Sequence, residues 1–183
     1  GNSGAALDLC LGTATNATTL DETLNSQLLI LWGVNVGETY PLYIRWIDKA
    51  RAAGARVLYI DPRRTPTSNH CDEQLMPRPG TYLALALGLI RLLIQEKRYD
   101  SEYIENHVNG FKELVEACES YTPDKVAGIC RISEERLKEF AGRCSDSRRT
   151  IIWLGASLSR YTNSIQSVRA IIALQAITGN LSG

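Results

Sequence analysis

The chain has 183 residues, of which 44% are hydrophobic and 22% charged, and this is the composition of one ordinary globular domain. Lysine plus arginine equals aspartate plus glutamate, at 20 each, so the charge balance indicates neither a nucleic-acid nor a membrane partner. The longest apolar stretch, residues 82–94, is interrupted by Gly88 and Arg91 and is too short to span a bilayer. We therefore expect a buried helix there and no direct membrane span.

The cysteines are widely spaced and match neither a disulfide framework nor a CxxC metal site. Cys144 continues a helical series with Leu137 and Phe140, which predicts a core position. His70 and Cys71 are the only adjacent soft ligands, and a metal site would need more partners than these two.

Residues 1–27 are rich in Gly, Ala, Thr and Asn and predict a loop-like or weakly helical lead-in. Gly1 is not a natural start, and the chain stops at Gly183 without a charged or polar tail. We expect residues 1–183 to form a single α/β domain that belongs to a longer polypeptide, whose localisation signals lie elsewhere.

The stretch from Leu28 to Thr67 has the pattern of a strand, a helix and a second strand. The runs Leu28–Trp32 and Arg56–Ile60 are short, apolar and bounded by Gly or Pro, which is typical of strands buried on both faces of a parallel sheet. Between them Pro41 suits a first helical turn, and one helical face collects Tyr43, Ile47, Ala50 and Gly54. The loops that follow the two strands should then lie side by side, where open α/β sheets bind ligands.

The rest of the chain continues the alternation of strands and helices. Residues 74–77 predict a short third strand, and Thr81 can cap a buried helix over residues 82–96. Residues 100–145 carry amphipathic helical patterns and no catalytic pattern, so they predict scaffold.

The run Thr150–Leu154 predicts a last strand, and it is followed by Gly155, a polar loop and a helix over residues 165–177. The fold expected is a doubly wound α/β domain with a mostly parallel sheet, a Rossmann-like three-layer sandwich with an extra helical segment.

The turn after the first strand suits a nucleotide. Glycines at Gly33 and Gly37 let the backbone approach a ligand, and a turn before a helix offers free amides to a pyrophosphate. Asp61 can accept hydrogen bonds from ribose hydroxyls, and Arg63 can pair with phosphate or lie against a base. The alternative is that Gly33 forms a simple turn and Asp61 ends a strand. The occurrence together of the glycine turn, the acid and the arginine favours nucleotide binding. The glycine spacing is not the Gly-x-Gly-x-x-Gly of ordinary NAD sites.

Five motifs in series carry a resemblance to the molybdopterin oxidoreductase family, which includes dimethyl sulfoxide reductases, formate dehydrogenases and nitrate reductases. They are WGVNVGETYP (32–41), IDPRRT (60–65), RPGT (78–81) with ALALGL (84–89), WLG (153–155) with Arg160 and Asn163, and ITGN (177–180). The resemblance implies an α/β domain of a much larger catalytic subunit, holding one of two molybdopterin guanine dinucleotides that chelate molybdenum or tungsten.

The resemblance also implies roles for particular positions. The turn formed by Gly33, Asn35 and Glu38 would lie against the dinucleotide, and Asp61 and Arg63 would contact its guanosine end. The turn that contains Arg78, Gly80 and Thr81 would close over the guanine. Gly155 and Arg160 would face the pterin or the substrate channel.

One position departs from the family pattern. The family's RPGT turn usually continues with an Asp that reads the guanine edge, and this chain has Tyr82 there. A phenol can stack or donate one hydrogen bond, but it cannot accept two amino hydrogens as a carboxylate can. Base recognition at this point is therefore in question.

The resemblance places the iron-sulfur cysteines upstream of this region and a β-barrel downstream. The protein ligand of the metal would come from near or before residues 1–13, where the available side chains are Ser3, Asp8, Cys10 and Thr13. No catalytic residue is assigned within the chain.

Two hypotheses follow. In the first, the parent enzyme oxidises or reduces a small substrate such as a sulfoxide, an N-oxide or formate. Its expected partners are an iron-sulfur electron-transfer subunit and a membrane anchor, in a bacterial periplasmic or membrane-associated complex. In the second, the chain is a non-catalytic nucleotide-binding or interaction module on the same scaffold, which Tyr82 favours.

Overall fold

A computed structural model describes residues 2–13 and 19–181, and its centre is a four-stranded sheet. The strands are β1 (Leu28–Trp32), β2 (Arg56–Ile60), β3 (Glu73–Leu75) and β4 (Thr150–Leu154). The α-helices of the described residues are α1 (Asn2–Leu11), α2 (Val36–Thr39), α3 (Ile44–Ala52), α4 (Tyr82–Gln95), α5 (Ser101–His107), α6 (Phe111–Cys118), α7 (Pro123–Cys130), α8 (Glu134–Asp146) and α9 (Ser164–Ile177). Short 3-10 helices cover Asp21–Asn25, Pro41–Tyr43, Pro66–His70 and Ala156–Arg160.

The sheet is parallel throughout, in the order β3-β2-β1-β4. Leu28 at the start of β1 is aligned with Arg56 of β2 on one side and with Thr150 of β4 on the other. The chain builds outward from β1 first in one direction and then in the other, so the topological switch point lies between β1 and β4.

Helices cover both faces of the sheet because β1 is apolar on both. Leu29 and Leu31 belong to a cluster with Ile47 of α3, and Leu28 and Ile30 belong to a larger cluster with α4 and α9. The expected doubly wound, three-layer α/β fold is confirmed.

The extra helical segment is α5 to α8, in which α6, α7 and α8 pack on α4 and α5 packs on α9. Gly88 makes one close contact possible, because a Cβ there would lie 2.7 Å from Val126 Cγ2 of α7. Cys144 on α8 is fully buried, which confirms its predicted core position, and burial raises the pKa of its thiol to about 12.

Several boundaries differ from the sequence expectations. The helix between β1 and β2 is broken into α2, a 3-10 turn and α3, so Ile47 is buried while Tyr43 is 40% exposed. The third strand begins one residue earlier than expected and ends at Leu75.

Of the two forms expected for the lead-in, loop-like or weakly helical, its first part adopts a helix, α1 (Asn2–Leu11). Helix α1 packs on α9, where Ala6 is fully buried, and Asn2 Nδ2 donates to Ser164 Oγ at 2.7 Å. Tertiary contacts with α9 therefore stabilise a segment whose own sequence has weak helical periodicity. The expectations for residues 14–18 lie outside the described residues.

No helix among residues 2–13 and 19–181 is long and apolar enough to cross a bilayer.

Candidate functional site

The loops that follow the four strands lie at one edge of the sheet, because parallel strands all end at the same edge. This carboxyl edge brings together every residue for which the sequence predicts a binding role. They are Gly33, Asn35 and Glu38 after β1, Asp61 and Arg63 after β2, Arg78, Gly80 and Thr81 after β3, and Gly155 and Arg160 after β4.

The turns after β1 and β4 touch at their glycines. Gly33 has φ +64° and donates from its N to Ile60 O at 2.8 Å, while Gly155 N donates to Trp32 O at 2.8 Å. A Cβ built on Gly155 would overlap the backbone of Gly33 and Val34. These two glycines are therefore required for the loops to approach each other, and a role in the approach of a ligand comes in addition to that.

Polar side chains tie the β1 turn to the loop after β2. Thr67 is fully buried, and its Oγ1 accepts from Gly37 N at 2.9 Å and donates to Asn35 Oδ1 at 2.9 Å. Asn35 Nδ2 in turn donates to Glu38 Oε2 at 2.6 Å. The expectation that the amides of this turn are free is thus wrong for Gly37, whose amide is taken by Thr67.

Asp61 is the buried acid of the carboxyl edge. Only 4% of the residue is exposed, and its Oδ1 accepts from Arg63 N at 2.9 Å while Arg63 Nε lies 4.0 Å away. Burial raises the pKa of this carboxyl, and the hydrogen bond and the charge of Arg63 oppose that rise. The Arg63 side chain itself is 69% exposed, so it is available to a ligand.

The turn before α4 is closed by its own threonine. Thr81 occupies the N-cap position, but its Oγ1 donates to Arg78 O at 2.6 Å and caps no helix amide. Gly80 has φ +82° and faces the ring of Tyr161, which lies 3.6 Å from the position of a Cβ. Thr81 therefore stabilises the turn, and the predicted cap is wrong.

Tyr82 lies beneath these loops as part of an aromatic row. Its ring makes edge contacts with Trp32 and Tyr161, at centroid distances of 6.5 Å and 6.2 Å. The residue is 2% exposed, and burial raises the pKa of its phenol. Among the described residues, the hydroxyl and Trp32 Nε1 are both buried without a hydrogen-bond partner. The nearby Ser157 Oγ donates to Gly33 O at 2.6 Å.

Exposed arginines surround this edge. We call Arg63, Arg64, Arg78 and Arg160 the arginine rim. Within the described part of the chain, Arg64, Arg78 and Arg160 have no carboxylate within 4.0 Å. Three of the four rim arginines therefore present positive charge without a paired carboxylate beside glycine turns, an arrangement that suits phosphate groups.

The profile of the molybdopterin oxidoreductase family matches residues 5–183. The chain belongs to this family. The resemblance carried by the five sequence motifs is thereby confirmed, and membership implies a pterin cofactor with molybdenum or tungsten.

Relatives agree with this assignment over nearly the whole chain. The alpha subunit of the F420-dependent formate dehydrogenase of Methanocaldococcus jannaschii is 31% identical over 96% of this chain and 26% of its own length. The assimilatory nitrate reductase catalytic subunit of Bacillus subtilis is 27% identical over 88% of this chain and 23% of its own. The solved structure of acetylene hydratase from Pelobacter acetylenicus superposes with a TM-score of 0.82 at 27% identity, covering 98% of this chain and 24% of the other. This chain thus spans about a quarter of the length of its relatives.

The side chains that the family resemblance suggests as metal ligands are distributed along α1. Ser3 lies nearest the carboxyl edge, since its Oγ is 2.5 Å from Ser159 Oγ in the loop after β4. Asp8 and Cys10 lie further along the helix and are exposed, and Thr13 follows the helix end. Among the described residues no three His, Cys, Asp or Glu side chains form a cluster that could hold a metal ion.

The pair His70 and Cys71 has other partners. His70 Nδ1 lies 2.8 Å from Asp48 Oδ1, and Cys71 Sγ donates to Thr67 O at 3.2 Å. Burial raises the pKa of Cys71 to about 12, so its thiol is not a ready ligand.

Sequence reasoning missed three residues that build the edge: Thr67, Ser157 and Tyr161. Each acts on a loop from another strand, so its role depends on tertiary neighbours. The only sequence signal was position, because Thr67 and Ser157 both stand a few residues beyond a strand end, where hydroxyls commonly bond to backbone groups.

Proposed function

We propose that this chain is the part of a molybdenum or tungsten oxidoreductase that holds one molybdopterin guanine dinucleotide along the carboxyl edge of its sheet. The observation that carries this proposal is the convergence of the four strand-end loops at one edge, with the arginine rim beside them. The family assignment supplies the class of cofactor, and the dinucleotide form and the residue roles are our inference from the site.

The residues present fit such a group. A pyrophosphate needs cationic or amide donors, and Arg78 and Arg160 are exposed cations on the two loops that flank the aromatic row. Arg63 adds a third cation at the end of β2. Gly33 and Gly155 keep the edge free of side chains at the switch point, where ligands of open α/β sheets bind.

Asp61 is the residue that would bind ribose. Its carboxylate ends β2 at the carboxyl edge and is held by Arg63 N. A carboxylate held in this way can accept hydrogen bonds from vicinal hydroxyls. Arg63 then supplies a guanidinium that can lie against a base or pair with phosphate.

Tyr82 bears on the alternative function, a nucleotide-binding or interaction module without catalysis. It is buried under the loops, and its hydroxyl has no hydrogen-bond partner in the described part of the chain. In place of an acid, this position supplies one hydroxyl and an aromatic edge, so guanine would lose a carboxylate partner here. A module that binds no guanine nucleotide would have the same aromatic row.

In the parent enzyme, the metal pterin would supply the redox chemistry, and this chain would bind and orient it. Relatives named formate dehydrogenase and nitrate reductase support a small substrate, which we propose to be a sulfoxide, an N-oxide or formate. An iron-sulfur cluster would lie upstream of this region.

The proposed partners are an iron-sulfur electron-transfer subunit and a membrane anchor, in a bacterial periplasmic or membrane-associated complex. Relatives whose names describe an alpha subunit and a catalytic subunit support a multi-subunit assembly.

The test is metal and nucleotide analysis of the full-length protein purified without oxygen. We expect molybdenum or tungsten and, after acid treatment, release of a guanine nucleotide at about two per metal. The variant Arg78→Ala should lower the retained nucleotide several-fold, because it removes an exposed cation beside the Gly80 turn. Lys97→Ala, an exposed cation beyond the far end of α4, is the matched control and should leave retention unchanged.

Two results would contradict the proposal. Protein without either metal and without guanine nucleotide would favour the non-catalytic module. Equal loss of nucleotide in Arg78→Ala and Lys97→Ala would show that the arginine rim has no specific role.

A further inference from the structure

A cavity among the described residues lies outside the candidate site, along the outer edge of β4. It has a volume of about 810 Å³ and wraps around the strand, with Trp153 on one side and Ile172 of α9 on the other. Leu7, Leu20 and Leu181 add further apolar walls. Residues Ile151 to Leu154 are only partly buried, although they form the apolar run of a strand.

The backbone of β4 shows which groups this groove leaves open. On the inner edge, Arg149 O accepts from Leu28 N and Gly155 N donates to Trp32 O, so alternate residues from Arg149 to Gly155 face β1. Thr150 therefore faces outward, and so do Ile152 and Leu154.

Of the outward-facing residues, only Thr150 has hydrogen-bond partners for its backbone N–H and C=O in the described residues. Asn180 Oδ1 accepts from Thr150 N at 2.7 Å, and Gln175 Nε2 donates to Thr150 O at 3.4 Å. These two side chains make the hydrogen bonds that the backbone of a neighbouring strand would make to Thr150. The N–H and C=O groups of Ile152 and Leu154 receive no such bond from the described chain, and an apolar edge of this kind is a template for strand pairing.

We propose that the segment of the full-length polypeptide directly after residue 183 forms a fifth parallel strand on this edge. The chain covers about a quarter of the length of the relatives it matches, and the proposal takes the full-length polypeptide to continue beyond residue 183. Asn180 already lies at the outward side of Thr150, so a chain that leaves this point along the groove runs parallel to β4.

The handedness of the fold supports the same strand. Helix α3 connects β1 to β2 and packs on the face that carries Leu29 and Leu31. Helix α9 packs on the opposite face, with Leu28 and Ile30. The new strand would lie on the other side of β1 from β2, and its connecting helix, α9, lies on the other face of the sheet from α3. These two reversals cancel, so the unit formed by β4, α9 and the new strand has the same hand as β1–α3–β2. Nearly all such units are right-handed.

This strand has a consequence for function. A strand parallel to β4 ends at the carboxyl edge, beside Gly155 and Arg160. The segment that follows it would therefore enter the candidate site from the β4 side. The inference depends on topology and on the family match, and it stands even if the cofactor proposed above is wrong.

Residue-resolved hydrogen exchange of the full-length protein tests the proposal. We expect the amides of Ile152 and Leu154 to exchange at least about a hundredfold more slowly than unprotected amides, as slowly as the inward amides of Ile151 and Trp153. The peptide directly after residue 183 should share this protection. Fast exchange at Ile152 and Leu154, or at that peptide, would overturn the proposal.

A variant identifies the pairing segment. Ile152→Pro removes an outward donor without touching the β1 ladder, since an edge strand tolerates Pro on its outer side. It should speed exchange in the peptide after residue 183 at least about tenfold, whereas the control Ile152→Val, which keeps the N–H, should not. An unchanged peptide would overturn the proposal. If the proline variant fails to fold, a structure of the wild-type full-length protein decides: any other segment, or a second copy, on β4 contradicts the inference.

Discussion

Strands β1 and β4 are neighbours with similar sequences and different surroundings. LLILW in β1 is buried at all five positions, whereas TIIWL in β4 is buried only at Thr150. The difference comes from their neighbours in the sheet. β1 has a strand on each side, β2 and β4, whereas β4 pairs with β1 on one side and has a groove on the other.

This contrast separates local preference from burial. An apolar run without alternation is typical of a strand covered on both faces and on both edges. β1 meets that expectation within the described chain. β4 has the same kind of sequence without the cover, and this difference is the physical basis for inferring a further strand.

The largest expected effect is at the junction of the two strands. Gly155→Ala should reduce the free energy of unfolding by about 3 kcal/mol, because its Cβ would overlap the backbone of Gly33 and Val34 and one of the loops must move. Hydrogen-exchange opening energies of the β1 amides in the full-length protein would measure it. Gly128→Ala is the control, since that exposed helical position has open space and should be neutral or slightly stabilising.

A smaller effect is expected where β1 meets β2. Thr67→Val keeps the shape of the side chain but leaves Gly37 N and Asn35 Oδ1 without their partner, which should cost about 2 kcal/mol. The β1 turn should also open more readily than the β4 turn, which hydrogen exchange at Gly37 would report. Thr67→Ser restores the hydroxyl and should recover most of the loss; no recovery would show that the methyl group, not the hydrogen bonds, matters.

The outer side of β4 should respond more weakly. Asn180→Ala removes the acceptor for Thr150 N and the donors to Ser147 O and Thr178 O, and we expect a loss of about 1 kcal/mol. Asn180→Asp keeps the acceptor and should lose less. Exchange of the Thr150 amide distinguishes the two, and equal exchange in both variants would contradict the assigned bond.

Much of the fold could be predicted from the sequence because its signals are local. The strands β1, β2 and β4 and helix α4 follow from apolar runs and their period, and parallel pairing then places Asp61 and Gly155 at one edge. The lead-in was expected to be loop-like or weakly helical, and its sequence could not decide between the two, because α1 is stabilised by contacts with α9.

The positions of the site residues could be predicted from the sequence, but the hydrogen bonds between their loops could not. Gly33 and Asp61 were recognisable from their positions at strand ends, but the pairing of Thr67 with Gly37 joins residues 30 positions apart and depends on how two loops meet. The same holds for Ser157, which bonds to Gly33 O across the switch point. The local pattern favoured a nucleotide, and the family resemblance supplied the pterin class of cofactor.

The smallest expected effect on stability is at Tyr82, and this variant tests the aromatic row beneath the loops that follow β1 and β4. Tyr82→Phe removes a buried hydroxyl that has no partner among residues 2–13 and 19–181, so the free energy of unfolding should stay the same or rise by up to about 1 kcal/mol. A fall of more than about 1 kcal/mol would show that the hydroxyl has a stabilising partner in the folded protein. Guanine-nucleotide retention in the same variant provides the second measurement. Retention that drops while stability holds would mean that the unpartnered hydroxyl serves the ligand, whereas unchanged retention would mean that the aromatic row only supports the loops.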